Sequence, residues 1–155
     1  MPVIGAFIMP HPPIIIPSIG KGEEHRIQQT ADAYQRAAEE IARMKPETLV
    51  VLSPHAAAYA DYLHIAPGTA AKGDFSGFGS ADPPLKFSCD AQFVSALSEE
   101  AGRRGLPAGT FGDKHRPIDH GALVPLTFIT RAYRDFQLVR CSISGLGASA
   151  HYRFG

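Results

Sequence analysis

Two apolar runs, each ending in a proline followed by a histidine, constrain this chain more than any other feature. The first is Val3-Ile4-Gly5-Ala6-Phe7-Ile8-Met9 before Pro10-His11-Pro12-Pro13. The second is Thr48-Leu49-Val50-Val51-Leu52 before Ser53-Pro54-His55. Short runs rich in β-branched residues and bounded by turn formers read as fully buried strands. Between them, Ile27, Ala31, Tyr34, Ala38, Ile41 and Met44 recur at spacings of three and four, which predicts an amphipathic helix from about Glu23 to Met44. Lys45-Pro46 closes it. Strand, helix and strand in this order predict a right-handed βαβ unit with parallel strands. Open sheets of this kind bind ligands outside the carboxyl ends of their strands. His11 and His55 are then expected at the same edge of one sheet, where two imidazoles offer a metal site.

The rest of the chain supports an α/β class: a mostly parallel sheet flanked by helices. His11 to Pro17 is built of prolines and isoleucines, and reads as a rigid loop wall. Further strands are expected at Tyr62–Ala66, Leu85–Cys89 and Gln137–Ser144. Gly68 to Pro84 reads as a long loop centred on Lys72–Gly79. A helix is expected over Asp90–Arg104, with Asp90 as N-cap and Gly105 as C-cap. Another is expected from Leu123 to Tyr133, with Pro125 near its first turn. A third strand-glycine-histidine arrangement, Ser144-Gly145-Leu146-Gly147 and then His151, ends the sequence where a covering helix is expected. The 155 residues are therefore read as one domain, the N-terminal major part of a longer fold truncated at its C-terminus. The apolar surface of a truncated sheet would make a homo-oligomer plausible.

Composition narrows the function. Fifteen basic and fifteen acidic side chains cancel, so no global field draws the chain to nucleic acid or an anionic membrane. No segment reaches the ~18 consecutive apolar residues of a membrane helix, and the start lacks the pattern of a signal peptide. Cys89 and Cys141 fit no zinc or redox spacing, and read as two reduced thiols of a cytoplasmic protein. Of the seven histidines, His25 and His115 lie in polar surroundings and His64 falls inside a strand; all three read as structural or solvated. His11, His55, His120 and His151 differ: the first two each follow a proline at a strand end, His120 precedes Gly121, and His151 follows a glycine-bearing turn. Asp119 beside His120 could orient its ring, and Gly121 would let backbone approach a ligand. Gly73 to Gly79 lacks the Gly-Lys-Ser/Thr ending of a phosphate loop.

Met9-Pro10-His11-Pro12-Pro13, Ser53-Pro54-His55, Asp119-His120-Gly121-Ala122-Leu123-Val124-Pro125-Leu126, and Ser144-Gly145-Leu146 with His151 occur in one order across nearly the whole chain. Together they resemble the class III extradiol ring-cleavage dioxygenases, the superfamily of the β subunit of protocatechuate 4,5-dioxygenase. The nearer resemblance is to the branch with the Memo-like proteins and the dioxygenase-like domain of AmmeMemoRadiSam system proteins. The resemblance implies iron(II), with zinc as an alternative, held by His11 and His55. It implies His120 beside the substrate and oxygen, His151 as acid/base, and a small catechol-like aromatic and O2 as substrates. The family's third ligand, usually a glutamate, comes later than the position matched by His151. Glu23, Glu24, Asp61 and Asp74 stand in no matching motif. Either a longer parent supplies the carboxylate or this form is partly or wholly inactive. The competing readings are a non-catalytic metal-binding or protein-interaction domain of the Memo-like type and, behind it, a zinc hydrolase using the same histidines.

Overall fold

Helix- and strand-forming stretches alternate along the chain, and the computed structural model, which describes residues 2–155, follows that alternation from Pro17 onward. The elements are α1 (Pro17–Gly20), α2 (Gln28–Met44), β1 (Thr48–Ser53), β2 (Leu63–His64), β3 (Ala70–Gly73), β4 (Leu85–Ser88), α3 (Ala91–Arg103), β5 (Ala108–Gly109), α4 (His120–Ala132), β6 (Gln137–Ser142) and α5 (Ala148–Phe154). Short 3-10 turns precede α1 and α2 and follow β3. The class is α/β, with short strand pairs flanked by helices. β1 pairs with β6 and β2 with β5, both in parallel, and β3 pairs with β4. No helix among the described residues is long and apolar enough to cross a membrane.

The N-terminal run departs from expectation. Residues 3–9 form neither strand nor helix, and Val3 and Ile8 are 90% and 104% exposed. A strand exists only through a ladder partner. The parallel partner of β1 is β6, in register from Thr48↔Gln137 to Ser53↔Ser142, and the run 3–9 takes no place in that ladder. Apolar composition asks for burial but names no neighbour. The expected βαβ unit and the shared sheet edge for His11 and His55 are therefore corrected.

The chain divides into two compact units. The first runs through Glu47 and adds Lys72–Lys86 and Ile118–Phe136. Its centre is α2 against α4. Tyr34, Ala38 and Ile41 form the buried stripe of α2, and Tyr34 stacks on Phe128 with ring centroids 4.5 Å apart. Nearly all of α4 from Gly121 to Thr130 is buried. This helix begins at His120, three residues before the expected start, so Pro125 lies beyond the first turn and removes the helical donor to the Gly121 carbonyl. The hydroxyls of Thr127 and Thr130 donate to the carbonyls of Leu123 and Leu126.

The second unit holds Thr48–Ala71, Phe87–Pro117 and Gln137–Gly155. Ile65, Val94, Val139 and Cys141 form its buried cluster, with Phe93, Leu97 and Phe154 packed against it. β1 was expected to be buried on both faces, yet Val50 and Leu52 are 44% and 56% exposed. Their alternation with less exposed neighbours shows a strand covered on one face only. α3 matches its signals: the Asp90 carboxylate accepts from the Phe93 N–H, and Gly105 just beyond takes φ +64°. The final turn leads into α5, so His151 lies on a short helix rather than in a loop.

Candidate metal centre

In the first unit the chain brings His11 and His120 together. Prolines around His11 forbid helix and set an extended path into a 3-10 turn, where Ile15 N–H donates to the Pro12 carbonyl. Buried Ile15 and Ile16 anchor that turn. Just before His11, the carbonyl of Pro10 accepts a hydrogen bond from the Tyr34 hydroxyl. Burial pushes the Tyr34 phenol up to about 12, so it stays a donor at every physiological pH. His120 is the first residue of α4. Asp119 is its N-cap in extended backbone, and its carboxylate accepts from Ala122 N–H at 3.3 Å. Asp119 thus starts the helix that aims His120, and Gly121 lies buried in the first turn.

The two half-buried rings lie 5.8 Å apart between centroids, tilted by 59°, and each offers a ring nitrogen within 4.8 Å of the other's. Two imidazole nitrogens at that separation can meet one borderline-soft divalent ion. Phe78 packs edge-on to His120 at 5.1 Å. It comes from the 3-10 turn Ser76–Phe78 in the glycine-rich loop, which Asp74 pins by accepting from the N–H and hydroxyl of Ser76. Those bonds hold the Asp74 carboxyl below its ordinary range. Asp74 is therefore committed to its own loop, as Glu24 is to the Gly22 N–H. Among the described residues no carboxylate oxygen falls within ligand distance of the His11–His120 pair.

The other two candidates belong to the second unit. His55 stands exposed on the turn after β1, its backbone N–H donating to Ser53 Oγ at 3.2 Å. His151 on α5 is held at both ring nitrogens. Ser144 N–H donates to Nε2 at 3.1 Å, the Ser144 hydroxyl lies 3.4 Å from Nε2, and Nδ1 lies 3.2 Å from the Gly147 carbonyl. The histidines set aside stay structural or exposed. His25 is at the surface beside Glu24, and His115 lies in an exposed loop. His64 is buried on β2; burial lowers its pKa, nearby Asp113 raises it and Arg140 lowers it. Burial also pushes the Cys141 thiol up to about 12 and raises that of Cys89, so both free cysteines are poor nucleophiles.

Tyr34 and Phe78 escaped the sequence reading. Tyr34 looks like any apolar helix position; its hydroxyl contact with Pro10 spans 24 residues of chain. Phe78 sits among glycines with no periodicity to mark it.

The α/β chain thus pairs two imidazoles beside an aromatic ring, in the motif order described above. The family of the catalytic LigB subunit of aromatic ring-opening dioxygenases matches residues 5–155, and the chain belongs to that family. Among individual proteins it is similar to Protein CA_C1420 of Clostridium acetobutylicum, at 29% identity over 162 aligned positions covering 100% of this chain. The chain spans about a third of that relative's length, 35%.

Proposed function

We propose that the chain carries the iron(II) centre of an extradiol-type domain that opens a catechol-like aromatic with O2. His11 and His55 are its metal ligands, His120 stands beside the substrate and oxygen, and His151 is the acid/base. Membership of the ring-opening dioxygenase family over residues 5–155 supports the chemistry. The His11–His120 pair, with ring nitrogens inside 4.8 Å, supports a metal at His11 with His120 close beside it. Iron(II), when bound, supplies the one-electron chemistry that lets O2 react with a closed-shell aromatic.

The residues supply the rest. His11 is held in place through Pro10 and Tyr34. Phe78 gives a planar ring an apolar face beside His120. A neutral imidazole at His151 can take a proton from a catechol hydroxyl and return it to the opened product.

A second reading has its own support. Histidine nitrogens suit zinc as well as iron, and a non-catalytic metal-binding or interaction domain of the Memo-like type needs no open coordination position.

An anaerobic iron(II) titration by calorimetry, paired with O2 uptake on a panel of catechols, separates the two. One-to-one binding lost in His11→Ala and His55→Ala, with catechol-dependent O2 uptake, is the expected result. Saturable binding without uptake across the panel sinks the chemistry and leaves the metal domain.

A further inference from the structure

Ser144 and Gly147 together determine which nitrogen of His151 can act. The Gly147 carbonyl only accepts, so Nδ1 at 3.2 Å must carry a hydrogen. The Ser144 backbone N–H only donates, so Nε2 at 3.1 Å must offer its lone pair. One protonation state satisfies both contacts: a neutral imidazole protonated on Nδ1. The Ser144 hydroxyl fits the same arrangement. Its oxygen accepts from Leu146 N–H at 3.3 Å, leaving its hydrogen to point at Nε2, 3.4 Å away.

The loop that makes these contacts is itself held. Gly145 N–H donates to the Tyr59 carbonyl at 2.9 Å. A Cβ at Gly145 would come within 2.6 Å of the Ala60 carbonyl oxygen, so the two backbones are in close contact there.

We infer that Ser144 is a positioning residue for His151: its backbone N–H and the Gly147 carbonyl place the ring hydrogen on Nδ1 and leave the lone pair on Nε2. The inference rests on the proposed acid/base role of His151. Proton balance then dictates the cycle. The one lone pair of Nε2 accepts from the Ser144 N–H, so the ring must leave the loop before Nε2 can take the substrate's proton. It returns to Ser144 once Nε2 has passed that proton to product.

The test is nitrogen NMR of the chain labelled with 15N-histidine, with His151 assigned by comparison with His151→Gln. The wild-type signals should show protonated Nδ1 and unprotonated Nε2 at neutral pH. Ser144→Ala keeps the backbone N–H and should keep this tautomer, whereas Ser144→Pro, which has no N–H to donate, should mix the two. Where catechol-dependent O2 uptake is present, Ser144→Pro should lower kcat by about an order of magnitude with KM little changed, and Ser144→Ala much less. A wild-type ring protonated on Nε2, or a Ser144→Pro spectrum identical to wild type, overturns the inference. The expected tautomers without O2 uptake in any sample would leave the positioning intact and remove the dioxygenase reading instead.

Discussion

Tyr34 couples the core of the first unit to its metal-site loop: its ring stacks on Phe128 while its hydroxyl holds the carbonyl just before His11. Tyr34→Phe keeps the stack and removes the bond. We expect a loss of about 1 kcal/mol, roughly fivefold, in metal affinity, with helix content unchanged, read by calorimetry against circular dichroism. His64 gives a pH prediction. Its folded pKa lies below the ordinary 6.5, chiefly through burial, so the unfolded chain binds the proton that the folded chain refuses. Stability contributed by neutral His64 is present above about pH 6.5 and is lost as pH falls towards the folded value. Urea unfolding at pH 7.5 and pH 5.5 should show a smaller drop in His64→Gln than in wild type. Asp113→Asn removes the influence that raises the His64 pKa, and should steepen the drop. Histidine type alone showed none of this, because burial and neighbours set its proton affinity.

At the scale of elements, caps and amphipathic stripes were legible because they are local. Asp90 was recognisable as the N-cap of α3, and Tyr34, Ala38 and Ile41 as the buried stripe of α2. Asp90 also does work no local pattern shows: Thr48 Oγ1 on β1 donates to its second oxygen at 2.6 Å. Asp90→Ala should therefore cost about 1–2 kcal/mol for the cap plus about 1 kcal/mol for the strand contact, and Thr48→Val only the latter. Equal losses in chemical denaturation would show that the cap contributes nothing. The N-terminal run shows the opposite case. Residues 3–9 have the composition of a buried strand, but strand formation depends on a partner ladder, and β1 takes β6 from the far end of the chain. Likewise α4 starts at His120 because Asp119 caps there, although the apolar run first drew the boundary at Leu123.

At the scale of the whole molecule, the chain folds as two compact units whose segments interleave in sequence, with His11 and His120 in the first and His55 and His151 in the second. Metal binding to the folded state should stabilise it by about 2.7 kcal/mol at a hundredfold excess over Kd. A metal-dependent rise in Tm, abolished equally by His11→Ala and by His55→Ala, is the expected outcome of differential scanning calorimetry. A rise abolished by His11→Ala and His120→Ala but untouched by His55→Ala would assign the ion to the first unit alone. The sequence by itself determined the α/β class, the helices with their caps, the family motifs and the histidines worth weighing. These follow from short-range periodicity, backbone restriction by proline and glycine, and side-chain chemistry. Only the tertiary structure decided which strands pair, that Phe78 flanks His120, that Tyr34 anchors Pro10 and that Ser144 and Gly147 select a tautomer of His151. Those outcomes depend on distances between atoms brought close by folding, and a linear order of residues contains no distances.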